Sequence, residues 1–489
     1  MKKFFALLLL PALLYNCTAS RNYNPAKKFS KEQLLEDYTY FRNILEESHP
    51  SLYWYTSKDS MDYYFQQGAS KITDSLMEYQ FRNVLSYVTS KLRCGHTTVR
   101  ASEEAANFAE RSRSFALPLS IKAWPDTAVI TFNLNRKDSQ VVRGVILKSI
   151  ERRPIQLIID SLFSHLSKDG YNTTHKYQVI SNGGNFRSMY GSLFGLKRKM
   201  LVGYMDLNGN EKLDTVDVYN PLADTPTVRT TPPKISKSER KKRALASVRN
   251  LRIDTARSLA IMEVNGFTRN QKLRKFFKES FKEIKKLGIK NLTLDLRGNG
   301  GGSVVLSNLL TKYLAKKPFK ISDSIYSIKN KSSYSKMLDG YLSMRIFHLL
   351  MTSKKSDGNY HFRMYEDKYF KPKDKNHFDG QVFILTGGNT FSAASLVTKA
   401  LKGQENVLVV GEETGGGAYG NTAWMIPDVT LPNTRVRFRL PLFRLVIDKN
   451  EKKGNGVMPD VESLPTLEAI RKNEDFKMNK VRELIDAKK

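Results

Sequence analysis

The sequence predicts an α/β fold, and three observations support this prediction. Residues 248–465 alternate short apolar stretches with amphipathic runs at helical spacing, the pattern of strands joined by crossover helices. Residues 28–100 carry apolar side chains mainly at helical spacing, which predicts a helical N-terminal segment. Residues 115–225 contain several short apolar strands around one helix, which indicates a smaller separate unit.

Length and composition are those of a globular chain with several domains. The 489 residues allow roughly two to four domains, and the 40% of hydrophobic residues exclude a disordered chain. The predicted segments are a signal peptide (1–17), the helical segment (28–100), the small domain (115–225), a linker (226–247), the α/β core (248–465) and a C-terminal helix (466–489).

The formal net charge of +32 raises the question of a nucleic-acid partner. The lysines are spread over the whole chain, and only residues 236–242 (SKSERKK) form a tight cluster. No zinc-finger, helix-turn-helix or ribonucleoprotein signature accompanies them. We therefore expect no nucleic acid, and interpret the charge as a basic surface facing an anionic envelope.

The N-terminus reads as an export signal. Lys2 and Lys3 precede an apolar run at 4–14, which is too short to span a bilayer. Cys17 follows directly and resembles a bacterial lipobox cysteine, although Asn16 is not the usual small residue before it. The resemblance implies lipid attachment at Cys17 and a place in the bacterial cell envelope, facing the periplasm. An ordinary signal peptide with an incidental cysteine is the alternative.

The helical segment ends in a loop that presents a histidine. After the helical run through Val88, residues 92–98 (LRCGHTT) place His96 beside Gly95. Taken alone, His96 is predicted to be a surface histidine, or one satisfied by hydrogen bonds, and not a catalytic residue. His49 precedes Pro50, which disfavours helix, so His49 is predicted to be a turn residue.

The small domain resembles a PDZ domain in one stretch. Residues 144–150 (GVILKSI), followed by Arg153, Pro154 and Ile155, look like its central strand and helix approach. Such domains add a peptide tail to a sheet edge, so the resemblance implies capture of polypeptide C-termini. The match is degenerate, since residues 151–152 are Glu-Arg instead of Asn-Gly. An unrelated α+β insert is the alternative.

Two stretches of the core predict chemistry. Residues 292–296 read as a strand that runs into three glycines at 300–302, whose backbone can turn sharply and offer bare N–H groups. The predicted strand 382–385 passes a turn and delivers Ser392 just before a helix at 393–401, where nucleophiles are often presented. Together they predict a hydroxyl nucleophile facing an oxyanion hole. Residues 321–377 form an insertion that could roof this site.

Four stretches resemble the C-terminal-processing (tail-specific) and tricorn-type serine proteases. They are residues 295–302 (DLRGNGGG), 390–393 (TFSA), 411–416 (GEETGG) and 456–460 (GVMPD). The resemblance implies a ClpP/crotonase-like core and peptide-bond hydrolysis through an acyl-enzyme. In it, Ser392 is the nucleophile, and Ala393 with Gly301 or Gly300 supplies the oxyanion N–H groups. Tight turns or phosphate nests, and a serine helix cap, are the alternatives.

The resemblance also bears on the general base. Processing peptidases of the bacterial type carry a lysine where this chain has Gly417, so a serine–lysine dyad is not expected. The tricorn-type branch uses a histidine from the segment before the PDZ-like insert, which implies His96 here, although Gly95 replaces the usual preceding serine. An acidic orienter is expected; Glu413 is our choice and Glu412 the alternative, with no motif to decide.

Three further features of the sequence concern nucleophiles and cofactors. Cys94 and His96 lie two residues apart and could share a face as a cysteine–histidine dyad, but the oxyanion motifs accompany Ser392 instead. Ser395 is expected to pack or cap its helix. Since no HExxH, clustered Cys/His or Walker motif is present, we expect neither a metal nor another cofactor.

The sequence thus predicts an exported, lipid-anchored serine endopeptidase acting on envelope proteins or peptides. The first alternative is a catalytically inactive member of the same fold that binds polypeptide tails as an adaptor. The second is an acyl-CoA-handling crotonase, which would not need Ser392 and gives no reason for an export signal.

Overall fold

The computed structural model describes residues 23–112, 114–222 and 235–487. The predicted signal peptide and its Cys17 lie outside these residues. Within the described ranges, no helix combines the length and the apolar character that crossing a membrane requires.

The N-terminal segment is helical, as predicted. Its elements are β1 (Lys28–Phe29), α1 (Lys31–Ser48), α2 (Lys58–Ser70), β2 (Leu76–Met77), α3 (Glu78–Lys91), β3 (Val99–Arg100) and α4 (Glu103–Arg111). Helices α1 to α3 bury the rings of Phe41, Phe65 and Phe81 in one cluster. Phe438, from the distant C-terminal part of the chain, joins this cluster with its ring 5.2 Å from that of Phe41. The segment is therefore packed onto the core.

The small domain is a twisted antiparallel sheet covered by helices. Its elements are β4 (Leu119–Trp124), β5 (Thr127–Asn133), β6 (Ile146–Ile150), β7 (Arg153–Pro154), α5 (Ile155–Phe163), α6 (Thr174–Ser181), α7 (Asn185–Phe194), β8 (Lys199–Met205) and β9 (Glu211–Asp217). The strand order is β4-β5-β6-β8-β9, with β7 paired to β6. The strand predicted at 144–150 and the helix predicted after it correspond to β6 and α5.

The remaining elements build the core. They are α8 (Lys237–Ala246), β10 (Arg249–Asp254), β11 (Leu259–Val264), α9 (Leu273–Lys286), β12 (Asn291–Asp295), α10 (Val304–Lys312), β13 (Ser324–Ser327), α11 (Tyr341–Met351), β14 (Thr352–Lys354), β15 (Tyr360–Phe362), β16 (Gln381–Thr386), α12 (Ala393–Leu401), β17 (Val407–Gly411), β18 (Gly420–Ala423), β19 (Asp428–Thr430), β20 (Arg437–Arg439), β21 (Phe443–Val446), β22 (Val461–Glu462), α13 (Leu467–Lys472) and α14 (Phe476–Asp486). The α/β prediction is confirmed: the chain is a mixed α/β fold with several sheets.

A six-stranded sheet of order β10-β11-β12-β16-β17-β22 is the centre of the core. Strands β11, β12, β16, β17 and β22 are parallel, and β10 is antiparallel to β11. Within β16, Val382 and Ile384 face the cluster of α9, α10 and α12, whereas Phe383 and Leu385 face α14. Both faces are therefore covered, and the carboxyl ends of β12 and β16 open side by side, where ligands bind in such sheets.

The predicted insertion at 321–377 joins a second sheet. This sheet is antiparallel and has the strand order β14-β15-β13-β21-β18. Helix α11 connects β13 to β14. Phe362 of β15 and Phe443 of β21 are both buried there. Residues of α11 and β15 line the same cavity as Ser392 and Leu396, so the insertion forms one wall of the cavity described below.

Three local predictions differ from the structure. The predicted linker at 226–247 contains the helix α8, none of whose residues is buried, so no apolar periodicity marked it. The predicted C-terminal helix at 466–489 is two helices, because Asn473 adopts a left-handed φ of 55° between α13 and α14. Alternating basic and apolar residues at 435–443 also predict a strand, but the structure divides this stretch between β20 and β21.

Candidate active site

Ser392 lies at a strained strand-to-helix turn. It is the residue before α12 and has φ 54° and ψ −123°, which is rare for a residue with a Cβ. Such a conformation costs roughly 1–3 kcal/mol and persists only where its surroundings enforce it. Here the Thr390 hydroxyl donates to the Leu296 carbonyl at 2.9 Å, and the Phe391 N–H donates to the Asn299 carbonyl at 3.0 Å. The glycine-rich segment thus holds the serine turn in place.

Gly301 lies against the nucleophile. A Cβ on Gly301 would be 2.6 Å from the Ser392 Cβ, and its φ of +99° already favours glycine. Its N–H donates to the Asn299 side-chain oxygen at 2.9 Å. Gly301 therefore allows the glycine segment to approach Ser392 closely. Its own N–H is already bonded to Asn299, so it does not have the free N–H that the predicted oxyanion role requires.

Other N–H groups nearby are free to bind an oxyanion. Among the described residues, the N–H groups of Gly302 and Ala393 have no hydrogen-bond partner. Gly302 lines the same cavity as Ser392, and Ala393 begins α12. Gly300 is the other predicted donor. A Cβ added to Gly300 would meet no atom within 4 Å, so this residue is not packed against Ser392 as Gly301 is. Ala393 and Gly302 are the donors that the geometry favours.

The aspartate and arginine of the 295–302 motif have a structural role. The Arg297 guanidinium donates to both carboxylate oxygens of Asp295, at 3.0 and 2.6 Å, and to Asp475 at 2.5 and 2.9 Å. Asp475 caps α14 by accepting the Met478 N–H at 3.1 Å. Burial acts against the charged guanidinium, but the two carboxylates outweigh it and raise the pKa of Arg297. This bidentate network fixes the end of β12 to α14.

The loop carrying His96 is tied to the core by strand pairing. Val99 of β3 is registered with Phe438 of β20, and the Arg439 N–H donates to the Thr98 carbonyl at 2.9 Å. The His96 ring packs on the ring of Phe391, with centroids 4.9 Å apart. The fold therefore brings His96, almost 300 positions away in sequence, to the residue that precedes Ser392.

His96 is buried and neutral. Its side chain is 6% exposed, and neither ring nitrogen has a hydrogen-bond partner among the described residues. Burial, with smaller contributions from Arg439 and His175, lowers the pKa of His96 to about 3. A neutral imidazole is the form that accepts a proton. The structure places it near Ser392 but shows no hydrogen bond between the two side chains.

Asp169 is a candidate that the sequence did not single out. Its buried carboxylate accepts the Gly95 N–H at 2.8 Å and the Gly417 N–H at 3.3 Å. One of its oxygens lies within 4.8 Å of a His96 ring nitrogen. Burial raises the pKa of Asp169 to about 7, against the lowering effect of the two N–H groups. No motif surrounds Asp169, so only the fold could reveal it.

The two glutamates considered as orienters are engaged elsewhere. Glu413 accepts the Gly456 N–H at 2.6 Å and the Thr174 hydroxyl at 3.5 Å. Glu412 is paired with the buried Lys477 at 2.6 Å. The structure does not bring either carboxylate to His96.

The position of the missing lysine has no space for one. A Cβ on Gly417 would collide with the Gly420 carbonyl oxygen, so this backbone accepts only glycine without rearrangement. The absence of a serine–lysine dyad therefore agrees with the local packing.

The other nucleophile candidates are occupied by structural contacts. The Ser395 hydroxyl donates to the Thr390 carbonyl at 3.0 Å inside the protein, which is the packing role expected for it. The Cys94 thiol lies 3.6 Å from the Thr422 carbonyl, and burial raises its pKa to about 11. Since a thiol with this pKa is protonated near neutrality, a Cys94 nucleophile is disfavoured.

Ser392 opens onto a cavity of about 570 Å³. Its walls are mainly apolar, and they come from α11, β15, α12 and the residues after β18. The apolar residues include Phe347, Met351, Phe362, Leu396, Trp424 and Ile426. Arg269 and Arg439 supply positive charge at its lining. A cavity of this size and lining accommodates a large apolar side chain.

A strained serine at a strand-to-helix turn, which lines a cavity and has free backbone N–H groups nearby, is the arrangement of a serine hydrolase. Residues 258–463 match the sequence profile of Peptidase family S41. The chain is a serine-type peptidase, and the S41 match over residues 258–463 confirms the resemblance that the four motifs predicted.

Solved structures share the fold over nearly the whole chain. A point mutant of CPAF is 13% identical, with a TM-score of 0.66, and the alignment covers 94% of this chain and 97% of that one. Mature CPAF complexed with lactacystin is 14% identical, with a TM-score of 0.63 and coverages of 93% and 98%. Mature CPAF alone gives 13% identity, a TM-score of 0.61 and coverages of 93% and 96%. No curated protein sequence matches the chain significantly.

Proposed function

We propose that this peptidase is an exported endopeptidase that cleaves envelope polypeptides through an acyl-enzyme on Ser392. The observation that carries the proposal is the strained Ser392, which opens onto the apolar cavity beside two free N–H groups. Its core would be of the ClpP/crotonase-like type, which the mainly parallel sheet covered on both faces supports.

The reaction follows from these positions. The Ser392 oxygen attacks the scissile carbonyl carbon while His96 accepts the hydroxyl proton. The N–H groups of Ala393 and Gly302 bind the oxyanion, where one such donor contributes about 2.7–4 kcal/mol. His96 then donates its proton to the leaving amine, and water hydrolyses the acyl-enzyme with His96 again as base.

The gap between His96 and Ser392 closes in the substrate complex. Catalytic hydrogen bonds are often long without substrate and tighten when it binds. Asp169 would accept a hydrogen bond from a ring N–H of His96 and so orient the ring, since its carboxylate is already fixed by the Gly95 and Gly417 N–H groups. Asp169 thus replaces Glu413 as the proposed third member.

The apolar cavity defines a substrate class. A polypeptide whose scissile bond follows a large apolar residue would bury that side chain against Phe362, Met351 and Trp424. Each methylene buried in such a pocket contributes about 0.8 kcal/mol of binding. Charged side chains would lose hydration there without gaining a partner.

The small domain is proposed to act as a PDZ-like capture site. Strand β9 lies at one end of its sheet, and most of its residues are exposed. A polypeptide tail could therefore extend the sheet at this edge by main-chain hydrogen bonds. Selection of substrates by their C-termini would follow.

Attachment to the membrane is proposed from the sequence alone. Cleavage before Cys17 and its acylation would anchor the protein by lipid, with the peptidase facing the periplasm. Envelope proteins and peptides would then be its substrates.

Digestion of an unfolded protein tests this function. The full chain carrying Cys17→Ala, which cannot be lipidated, is compared with the same chain carrying Ser392→Ala or His96→Ala. Ser303→Ala is the matched control, because Ser303 directly follows the glycine motif but makes no side-chain cap. We expect cleavage by the parent and the control and none by the two variants. A folded parent that binds peptide tails and cleaves nothing would favour the adaptor.

A further inference from the structure

We propose that Cys94, His96 and Asp169 form a binding site for one zinc ion, and that the bound ion switches the peptidase off. A thiol sulfur, a ring nitrogen and a carboxylate oxygen from these residues all lie within 4.8 Å of one another. The three side chains are buried, at 3%, 6% and 3% exposure. Binding stands on this geometry alone; inhibition also rests on the proposed role of His96.

The unpaired imidazole points to a ligand. Both ring nitrogens of His96 are buried without a hydrogen-bond partner among the described residues. A buried polar atom without a partner has lost its hydration and destabilises the folded chain. A metal ion coordinated by one nitrogen removes part of this destabilisation and gives the unpaired imidazole a function besides catalysis.

Donor types and spacing match zinc better than other common ions. Zinc is bound by thiolate at about 2.3 Å and by imidazole and carboxylate at about 2.0–2.2 Å, in a tetrahedron. These bond lengths put the donor atoms roughly 3.5 Å apart, so side-chain shifts of about an ångström suffice. Magnesium and calcium prefer oxygen ligands alone. Water would take the fourth position.

The surroundings pre-orient the carboxylate ligand. Asp169 is held by the Gly95 and Gly417 N–H groups, one on each oxygen, which leaves further lone pairs for a metal. Hydrogen bonds of this kind orient metal ligands and raise affinity. Gly95 also links the two other ligands, since it lies between Cys94 and His96 in the chain.

Charge balances when zinc binds. The Cys94 thiol releases its proton to solvent and forms the sulfur–zinc bond, so thiolate and carboxylate together neutralise the dication. Arg439 acts against a cation, because its charge reaches His96. A site with two anionic ligands offsets this repulsion. His175 also faces this region, and its Nδ1 is within hydrogen-bond distance of the Gly388 carbonyl at 2.7 Å.

Zinc would block catalysis directly. A His96 nitrogen that coordinates zinc cannot accept the Ser392 proton, and the ring is held on the side of Cys94 and Asp169. Chelation would restore the base. The site would therefore couple peptidase activity to the concentration of free zinc around the protein.

Zinc and cobalt titrations of the reduced full chain carrying Cys17→Ala test the site, because Cys94 is then its sole cysteine. We expect one zinc per chain by calorimetry and a near-ultraviolet thiolate-to-cobalt absorption band. Cys94→Ser and Asp169→Asn should weaken zinc binding about tenfold or more, and Cys94→Ser should abolish the band. His175→Asn, in the other histidine that packs on Phe391, should retain both.

The parent alone can refute the site: absence of saturable one-to-one binding, or of the cobalt band, overturns it without any variant. Zinc affinity unchanged in folded Cys94→Ser also overturns it. Peptidase rates are compared with and without zinc within each variant, so differences in basal rate do not enter. A chain that binds zinc through Cys94 but cleaves nothing keeps the site and refutes the proposed function. A chain that cleaves substrate but lacks the cobalt band refutes the zinc site and keeps the proposed function.

Discussion

Gly301 and Ser392 are in such close contact that the structure leaves no space for a side chain between them. A Cβ on Gly301 would lie 2.6 Å from the Ser392 Cβ, 2.9 Å from the Phe391 carbonyl oxygen and 3.0 Å from the Ala393 nitrogen. These atoms belong to the nucleophile turn itself. The glycine motif and the serine motif therefore form one unit, although almost 90 positions separate them.

This contact predicts a sharp difference between adjacent glycines. Gly301→Ala should reduce kcat/KM by about 100-fold or more, because the methyl group displaces Ser392 and the Ala393 N–H, and loss of an oxyanion donor alone costs 10²–10³. Peptide hydrolysis by purified variants measures the effect. Gly300→Ala, where a Cβ meets nothing within 4 Å, is the control and should lose much less. Equal losses would show that the contact does not govern the site.

The choice between Asp169 and Glu413 is testable by amide substitutions. Asp169→Asn should lower kcat by about 10²–10⁴-fold with a smaller change in KM, because a misoriented imidazole weakens proton transfer and not substrate binding. Glu413→Gln keeps an oxygen for the Gly456 N–H and should change kcat little. Steady-state kinetics on one peptide compares both variants. A large effect of Glu413→Gln alone would favour Glu413 as the carboxylate that orients His96.

The arginine of the glycine motif is expected to stabilise the fold. Arg297→Lys removes the bidentate bonds to Asp295 and Asp475, and Asp475 is 45% exposed, so water screens part of the loss. We expect a decrease of about 1–2 kcal/mol in the free energy of unfolding, measured by denaturant. Arg243→Lys, whose bond to Glu239 on α8 is exposed, is the control and should stay within about 0.5 kcal/mol. An equally small change in both variants would show that the bonds of Arg297 do not stabilise the fold.

The cavity predicts substrate preference through two neighbouring residues of α11. Met351 lines the cavity, whereas Leu350 is 74% exposed and does not. Met351→Ser should lower kcat/KM about tenfold for peptides with a large apolar residue before the scissile bond. Leu350→Ser should leave these values unchanged. Similar behaviour of the two variants would mean that the substrate side chain binds elsewhere.

The elements that carry a clear local pattern were predicted well. Helix α12 has the predicted bounds, and strands β12 and β16 differ from their predicted bounds by one residue at each end. Their apolar residues recur with the period of a strand or a helix, and this spacing places them on the buried face of the element. Helix α8 lacks any buried residue, so its basic sequence resembled a linker.

The site was predictable only in part, because its residues meet through tertiary contacts. Ser392 and the glycine motif are marked by local sequence, but Asp169 belongs to no motif and meets His96 across more than 70 positions. The hydrogen bond from the Gly301 N–H to the Asn299 side chain likewise could not be predicted from the presence of three glycines in the motif. The same reason explains why the sequence indicated no metal ligands.

Labelling by an active-site-directed serine reagent is the most direct test of the Ser392–His96 account. The full chain carrying Cys17→Ala is treated with the reagent, and the modified residue is located by mass spectrometry of its peptides. We predict one label per chain, on Ser392, and at least a 100-fold slower labelling rate in His96→Ala. A label on another residue, or an unchanged rate in His96→Ala, would contradict the account.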